Sequence, residues 1–156
     1  MKAKKLMPYV ISVFIALAIG FLSGIVTSRG MPAYEQLMKP SLNPPSIVFP
    51  IVWPILYILM GIGAAIIWKS TDETRETALS IYAFQLAFNA IWSIFFFGFG
   101  TYLLSFIWLI LLWILILMMI VSFYRIKPIA GLIQIPYLLW VSFAGYLNFA
   151  IWQLNR

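Results

Sequence analysis

The amino-acid sequence predicts an all-α integral membrane protein, a bundle of five transmembrane helices formed by one domain over residues 1–156. Of its residues, 64% are hydrophobic and 9% are charged, whereas about a quarter of a soluble domain is charged. Five apolar runs approach or exceed the roughly 20 residues that a helix needs to cross a bilayer. Lipid, rather than water, is therefore the expected solvent for most of the surface.

Short polar segments separate the five runs, and they contain glycine, proline and charged residues that interrupt or end helices. These segments are KSTDETRET, GFGT and RIKP, together with a longer polar interval that begins at Arg29. The predicted spans lie at about residues 8–27, 47–68, 78–97, 102–124 and 129–152.

The first run follows a basic N-terminus, MKAKK, a pattern that is also typical of a secretory signal whose removal would leave four spans. The run is long and no soluble domain follows it, so we expect it to remain as the first helix. Its GFLSG stretch places Gly20 and Gly24 in a small-xxx-small pattern, which allows helices to approach closely. That approach is within the monomer or, alternatively, within a homodimer.

The first connector contains KPSLNPP, residues 39–45. Pro44 and Pro45 fix their own φ angles and keep the preceding residues out of the helical region. We therefore expect an extended lid over a binding pocket, with the prolines also forming the first turn of the second helix. Lys39 presents its ammonium to a ligand carboxylate or, alternatively, to lipid headgroups.

The third run carries two amides on one face. Gln85, Asn89, Trp92 and Phe96 recur at helical spacing and therefore share a side of the helix. An amide in hydrocarbon is unfavourable without a hydrogen-bond partner, so this face should point into the bundle. It either lines a pocket or joins neighbouring helices through the amides.

The second and fifth runs carry matching faces, with Trp53 and Tyr57 on one and Tyr137, Trp140 and Ala144 on the other. Trp140 falls near the middle of its span, where the interfacial aromatic belt does not account for it. The three faces predict a flat, aromatic, uncharged pocket that opens towards the outer side, the general form of a small-molecule site. The fourth run is apolar all round and is expected to face lipid or a partner chain.

The residue types present exclude several function classes. The chain has no Cys and no His, so metal sites built on these ligands, an axial imidazole on haem, and thiol or imidazole catalysis are excluded. All four acidic residues lie outside the predicted spans, which argues against an ion-coupled transporter. The net charge of +6 comes from cations at the ends of apolar runs, a pattern typical of lipid contact rather than nucleic-acid binding.

The distribution of cations predicts the orientation, because cytoplasmic ends carry an excess of Lys and Arg. One side holds seven cations and the other three, namely Lys2, Lys4, Lys5, Lys69, Arg75, Arg125 and Lys127 against Arg29, Lys39 and Arg156. We therefore expect a cytoplasmic N-terminus, with the C-terminus and the first loop outside, in a bacterial plasma membrane.

Three stretches resemble the tryptophan-rich sensory protein/translocator protein family (TspO/MBR), which includes the peripheral-type benzodiazepine receptor: AYEQLMKPSLNPPSIVFPIVWPILYILMG, FQLAFNAIWSIFFFG and IPYLLWVSFAGYLNFAIWQLN. The resemblance covers all five spans, and its most specific part is the KPS–x₂–PP element followed by a tryptophan. It implies a five-helix bundle, commonly dimeric, whose pocket opens towards the first loop. In this family the pocket binds porphyrins, benzodiazepine-type drugs and, in animals, cholesterol.

By position, the resemblance implies ligand-binding roles for residues of three helices and the first loop: Trp53, Asn89, Trp140, Phe95, Phe96, Ala144, Tyr34, Pro44 and Pro45. The sterol pattern that animal members carry late in the fifth helix is not kept. Phe149 and Gln153 stand where a hydroxyl-bearing aromatic and a cation are expected, so we do not expect cholesterol to bind there.

These observations predict a membrane receptor or sensor that binds protoporphyrin IX and related flat hydrophobic ligands, with no required cofactor or metal. The predicted pose stacks the ring on Trp53 and Trp140, with one hydrogen bond to Asn89. Two alternatives remain open. One is a passive carrier of tetrapyrroles or lipid metabolites. The other is light-dependent porphyrin degradation, which the resemblance implies for some bacterial members and which makes the two tryptophans candidate catalytic residues.

Overall fold

The computed structural model describes the backbone of residues 2–156 and the side chains of residues 5–156. This part of the chain is helical and contains no strand; its helices are α1 (Lys2–Glu35), α2 (Val48–Trp68), α3 (Arg75–Ser93), α4 (Tyr102–Ile126), α5 (Pro128–Leu132) and α6 (Ile135–Leu154). A π-helical turn (Ile94–Gly98) extends α3, and α5 and α6 together form the fifth span. Five segments are long and apolar enough to cross a membrane, which confirms the predicted all-α bundle.

The first helix is longer than predicted and continues to Glu35, although Pro32 lies within it. A proline inside a helix removes one hydrogen bond, but packing supports the helix at this point. At Gly30, α1 lies so close to the π-helical turn that an added Cβ would overlap the carbonyl oxygen of Phe97. The connector is therefore only residues 36–47, and Tyr34 belongs to the last turn of α1 rather than to the loop.

The helices form a ring in which α1 packs against α2 and α3, α3 against α4, and α4 against α6. The ring closes at the α5 end, where the absence of a side chain at Gly63 lets Gln134 and Ala130 approach the α2 backbone. At the other end, aromatic side chains fill the space between α2 and α6, with the Phe49 and Trp140 rings 6.0 Å apart. This second end carries the first connector, and we call it the connector end.

The third span begins at Arg75 and ends in the π-helical turn, so it exceeds the predicted residues 78–97 at both ends. The Phe99 amide closes the turn by donating to the Ile94 carbonyl oxygen (2.9 Å). Gly100 follows with φ of +63°, a left-handed conformation that glycine adopts without strain. The turn leaves Phe96 buried in the interior of the bundle.

One side of the fourth helix is exposed, as expected of a helix that faces lipid or a partner chain, but its other side is buried. One face of α4 packs against α3 and α6, and Leu112, Ile116 and Phe123 are almost fully buried there. An all-apolar helix gives no signal for which side is buried, because lipid and a packed interior accept the same residues. This helix also supplies a polar contact, since the Trp108 indole N–H donates to the Phe88 carbonyl oxygen (2.9 Å).

The fifth span is broken rather than continuous over residues 129–152, because α5 ends at Leu132 and α6 begins at Ile135. Gln134 lies at the break, fully buried. Its amide donates to the carbonyl oxygens of Leu59 (3.0 Å) and Ala130 (3.4 Å). The break is therefore fastened to α2 by a polar side chain that satisfies two backbone groups at once.

The prediction that Pro44 and Pro45 form the first turn of the second helix is wrong, because α2 begins at Val48. The two prolines precede it in the connector, and the Val48 amide donates to the Pro45 carbonyl oxygen (3.0 Å). They therefore lead a separate turn into the helix, and the φ restriction of proline acts on the loop.

The N-terminal part of the chain lies beside the second connector, and the C-terminal end lies beside the first connector, as expected for an odd number of spans. Lys69, in the second connector, packs against the N-terminal part of α1, and Asn155 bonds to the backbone of Met38 in the first connector. Which end faces the cytoplasm stays a prediction. The side chains of Lys2 and Lys4, which contribute to that prediction, lie outside the described residues.

The second connector is ordered by its own hydrogen bonds. The Asp72 carboxylate accepts from the backbone amide (2.8 Å) and the hydroxyl (2.6 Å) of Thr74. These bonds stabilise the ionised form and hold the pKa of this exposed carboxyl below its ordinary value. The loop thus leads α2 into α3 with a compact polar turn outside the spans.

Candidate ligand-binding site

Trp53 lies at the centre of an aromatic cluster formed by α2, α3 and α6. Its ring centroid is 6.4 Å from those of Trp92 and Tyr137, 6.5 Å from that of Trp140 and 5.8 Å from that of Tyr57. The rings meet at tilted and edge-to-face angles, which aromatic pairs favour. The predicted faces of the second, third and fifth runs therefore converge, and they do so at the connector end.

A chain of hydrogen bonds runs through the interior beneath this cluster. The Tyr57 hydroxyl donates to Asn89 Oδ1 (2.6 Å), and Asn89 Nδ2 donates to the Tyr137 hydroxyl oxygen (2.8 Å). The Tyr137 hydroxyl in turn donates to Gln85 Oε1 (2.8 Å). Both ends of the Asn89 amide are thus engaged, and in this structure Asn89 joins three helices rather than presenting a free amide to a ligand.

A second polar contact holds Trp92 in place. Its indole N–H donates to Asn148 Oδ1 (3.1 Å), and Asn148 Nδ2 donates to the Tyr102 carbonyl oxygen (2.7 Å). A bridge of this kind joins α3, α6 and α4 through one amide. It satisfies the indole N–H within the protein, and the Trp92 ring therefore contributes an apolar face to its surroundings.

A cavity of about 900 Å³ lies between α1 and α2, beside the aromatic cluster. Trp53, Tyr57 and Trp92 line its inner side, and Gly20 and Gly24 belong to its α1 side. All of its lining residues are uncharged, and its volume is within the range of about 300–1,000 Å³ that is usual for small-molecule sites. Two of the predicted site residues, Trp53 and Tyr57, therefore border open space.

The cavity opens sideways between the two helices. Phe21 of α1 and Pro54 of α2 belong to its lining, and both are exposed. Side chains exposed on the spanning part of a membrane bundle face acyl chains rather than water. Ser46 and Ile47 of the first connector also line the cavity, and the opening under this connector that the sequence predicts stays a prediction.

The other predicted site residues do not line this cavity, and they fall into two groups. Phe96 and Tyr34 extend the aromatic cluster, since Phe96 lies 5.5 Å from Trp92 and 6.0 Å from Tyr34 between ring centroids. Phe95 turns away and packs edge-to-face on Trp108 of α4 (5.3 Å). The remaining ones lie in the closed interior or in the connector: Asn89, Tyr137, Trp140, Ala144, Pro44 and Pro45.

Two residues that border the site, Phe49 and Ser23, were not among the predicted ones. Phe49 lies four residues before Trp53, and this spacing places both on one helical face, so the pattern of the second run could have identified it. Ser23 gave no such signal, because a serine in a helix commonly bonds to its own backbone. Only the packing of α1 on α2 reveals that its side chain is directed into the cavity.

The first connector is tied down over the end of α1. The Lys39 ammonium donates to the carbonyl oxygens of Glu35 (2.8 Å) and Leu37 (3.2 Å), so it completes the helix terminus, where carbonyl groups lack partners. The Tyr34 hydroxyl donates to Asn43 Oδ1 (2.6 Å). These bonds hold the loop against the bundle, and in this structure Lys39 acts on the protein backbone.

The aromatic cluster contains an unused hydrogen-bond donor at Trp140. Within residues 5–156, the indole nitrogen of Trp140 is buried and has no acceptor. The same part of the chain contains no group of three or more acidic, His or Cys residues that could hold a metal ion. The arrangement is suited to binding a neutral, flat molecule by stacking, with very few polar contacts.

The sequence profile of the TspO/MBR family matches residues 12–153. The chain belongs to the TspO/MBR family. This match confirms the family resemblance and extends over all five spans.

Several relatives in the family are similar over nearly their whole length. Tryptophan-rich protein TspO of Chlorobaculum tepidum is 40% identical over 97% of this chain and 98% of its own. Protein CrtK of Rhodobacter capsulatus is 38% identical over 91% and 89%. The translocator protein of Homo sapiens is 35% identical over 86% and 81%. The family thus joins this integral membrane protein to bacterial and animal relatives of similar length.

Proposed function

We propose that this protein is a membrane receptor that binds flat, largely apolar ligands of the tetrapyrrole class, such as protoporphyrin IX, at Trp53. The observation that carries the proposal is the double position of this residue. Trp53 borders a cavity of about 900 Å³ that Trp92 also lines, and its ring contacts those of Trp92 and Trp140. A planar ligand in the cavity gains a large aromatic surface at this wall.

The chemistry of the lining supports an uncharged ring system. Apolar ligands are held chiefly by burial of apolar surface, at about 25 cal/mol per Å², and aromatic pairs add about 0.5–1.5 kcal/mol each. The chain contains no His and no Cys, so these common axial ligands of haem iron are absent. Metal-free protoporphyrin IX should therefore bind at least as tightly as haem, and much tighter binding of haem would contradict stacking as the main interaction.

The sensory part of the proposal rests on a relative's name. A relative from Cereibacter sphaeroides, 36% identical over 78% of this chain, is named tryptophan-rich sensory protein. A receptor needs a ligand-dependent change that a partner can read. We place that change in the first connector, where Asn43 bonds to Tyr34 and Met38 bonds to Asn155, so that the connector is held against the bundle.

The test is a titration of the purified protein in detergent with protoporphyrin IX, in the dark, followed by the porphyrin Soret band. Saturable binding is expected for the wild type, and Trp53→Leu should weaken it about tenfold, which corresponds to about 1.4 kcal/mol. The matched control is Trp113→Leu, because Trp113 lies between α4 and α6, where its N–H donates to Ser142 (2.8 Å). No saturable binding, or equal weakening by both substitutions, would refute the site.

A further inference from the structure

A groove of about 520 Å³ lies between α4 and α6, and all of its described lining residues belong to these two helices. Gly145 contributes to its floor, where an added Cβ would lie 3.2 Å from Leu109 Cδ2. The two helices therefore approach closely at this point. The groove is on the outside of the spanning part of the bundle, where the surroundings are acyl chains rather than water.

The walls of the groove are aromatic, and the polar groups at its deep end already have partners. Phe106 and Trp113 of α4 and Phe149 of α6 line it. The Trp113 indole N–H donates to Ser142 Oγ (2.8 Å), and the Ser142 hydroxyl donates to a carbonyl oxygen of its own helix (2.8 Å). A molecule in this groove therefore meets apolar surface and finds no unsatisfied donor at the deep end. This is the environment that a hydrocarbon chain requires.

The groove continues along one face of α6 towards the connector end. Ser142, Gly145, Phe149, Trp152 and Arg156 follow one another at spacings of three or four residues, which places helical residues on one side. The Phe149 and Trp152 ring centroids are 5.6 Å apart. From Ser142 to Trp152 a helix rises by about 15 Å, which is half of the roughly 30 Å hydrocarbon core of a bilayer. This face therefore covers the depth of one leaflet.

A guanidinium group lies at the outer end of this face. Arg156 is exposed, and its Cζ is 5.6 Å from the centre of the Trp152 ring, a distance at which a cation is attracted to the ring face. The one ion pair among the side chains of residues 5–156 joins Arg75 to Glu76, so no acidic side chain pairs with Arg156. A guanidinium group matches phosphate oxygens through two parallel hydrogen bonds.

We propose that the α4–α6 groove binds one phospholipid of the leaflet at the connector end. One acyl chain lies in the groove against Gly145 and the aromatic walls, and Arg156 binds the phosphate. Three features of this surface occur in the order in which one lipid needs them: an apolar groove, an interfacial tryptophan and a cation. The site is separate from the α1–α2 cavity and does not depend on the proposed function.

Native mass spectrometry of the purified protein tests the phosphate contact. The probes are dioleoyl phosphatidylglycerol and dioleoylglycerol, which carries the same chains without a phosphate. The wild type should bind one phosphatidylglycerol saturably and dioleoylglycerol about fivefold more weakly. Equal affinity for the two probes would overturn the phosphate contact, and the absence of a saturable complex with one phosphatidylglycerol would overturn the site.

Two arginine variants separate this site from general attraction of cations to lipid. Arg156→Gln should lower the affinity for phosphatidylglycerol about fivefold. Arg29→Gln removes the same charge from an exposed position at the connector end of α1 and should leave the affinity at the wild-type value. Equal losses in the two variants, or no loss in Arg156→Gln, would overturn the role of Arg156.

Two tryptophan substitutions on α4 test the groove. Ile110 lines the groove and is 44% exposed, whereas Leu111 is 45% exposed and lies about 100° further round the helix, outside the lining. Ile110→Trp places a large ring in the groove and should weaken binding about tenfold, and Leu111→Trp should leave binding unchanged. Equal affinities for these two variants would overturn the groove as the site. Thermal unfolding in detergent checks that each is folded, and Ile110→Phe replaces Ile110→Trp if the indole prevents folding.

The position of the chain can be mapped directly in the wild type. A phosphatidylglycerol with a photoreactive diazirine in one acyl chain is incorporated into nanodiscs with the protein and irradiated, and the labelled peptides are identified by mass spectrometry. Labels should concentrate on residues 106–113 and 141–149, and they should decrease there in Ile110→Trp. Labels spread evenly over all five spans would overturn the proposal. Cross-links from these residues to a second copy of the chain would assign the groove to a protein contact instead.

Discussion

Asn155 and Met38, 117 residues apart in the chain, exchange two hydrogen bonds. The Met38 amide donates to Asn155 Oδ1 (2.9 Å), and Asn155 Nδ2 donates back to the Met38 carbonyl oxygen (2.9 Å). The side-chain amide thus pairs with the backbone as a neighbouring strand would. It ties the first connector to the end of α6 and so joins the loop to the aromatic face that α6 carries.

Asn155→Leu should release the connector without disturbing the bundle. Loss of two exposed hydrogen bonds corresponds to about 1 kcal/mol or less of unfolding free energy, but the local opening of the loop becomes easier. Hydrogen exchange measured by mass spectrometry should rise in residues 36–47 and stay constant in α4. The control is Gln153→Leu, which removes an exposed side-chain amide two residues before Asn155. An equal rise in exchange for both variants would contradict the role of the Asn155–Met38 hydrogen bonds.

The chain from Tyr57 through Asn89 to Tyr137 should behave as one unit. Asn89→Leu removes the acceptor of the buried Tyr57 hydroxyl, and an unsatisfied buried group destabilises by about 1–3 kcal/mol, whereas the Tyr137 hydroxyl keeps Gln85 as its acceptor. Adding Tyr57→Phe to Asn89→Leu should restore part of the loss, because one orphaned hydroxyl is removed with its ring retained. Unfolding in detergent by SDS titration measures the coupling, and strictly additive losses would show that these contacts are independent.

Two glycines of α1 should respond oppositely to alanine. At Gly30 the new Cβ overlaps the Phe97 carbonyl oxygen, so Gly30→Ala should destabilise by about 1–3 kcal/mol, as overpacking does. At Gly24 the Cβ meets nothing within 4 Å, and alanine is the better helix former. Gly24→Ala should therefore leave the unfolding midpoint unchanged or raise it, and a loss similar to that of Gly30→Ala would contradict the packing of α1.

Light should distinguish a receptor from a porphyrin-degrading enzyme. If Trp53 and Trp140 take part in photo-oxidation, irradiation of the protoporphyrin complex should yield a new absorbing product. The product should not form in the double variant Trp53→Phe/Trp140→Phe, in which phenylalanine rings remain to bind the porphyrin. Product formation at the same rate in this double variant, with porphyrin binding retained, would remove the enzymatic alternative through these residues, and absorbance spectra over time decide between the outcomes.

The predicted orientation can be read from single cysteines, since the chain has none of its own. Ser41→Cys lies in the first connector and Thr71→Cys in the second, and both positions are exposed. A membrane-impermeant maleimide added to intact cells should label the first and spare the second. The reverse pattern would place the N-terminus outside, and labelling of both after permeabilisation shows that each thiol is accessible.

The helix faces that are buried in the bundle were predictable from the sequence. Helical periodicity and the cost of burying an amide in hydrocarbon are both properties of a single segment of the chain. Gln85, Asn89 and Trp92 occur at a spacing that only one side of a helix provides, and their polar groups have to be buried against protein. The structure confirms that all three are buried. The chosen residues of the second and fifth runs converge with them for the same reason.

Three features were not predictable from local pattern. The burial of one side of α4 gives no sequence signal, because lipid and protein interior accept the same apolar residues. The extension of α1 through Pro32 depends on its contact with the π-helical turn at Gly30. The occupation of the Asn89 amide by Tyr57 and Tyr137 depends on which residues of three helices come to the same depth.

The sequence by itself determined the membrane class, the number of spans, the family and the faces that turn inwards, since composition, run length and periodicity are properties of single segments. Only the tertiary structure decided where open space remains among those faces. That space lies beside Trp53 and between α1 and α2, where a Cβ added at Gly24 would meet no other atom within 4 Å. The fit between two surfaces is a joint property of helices that no single run encodes.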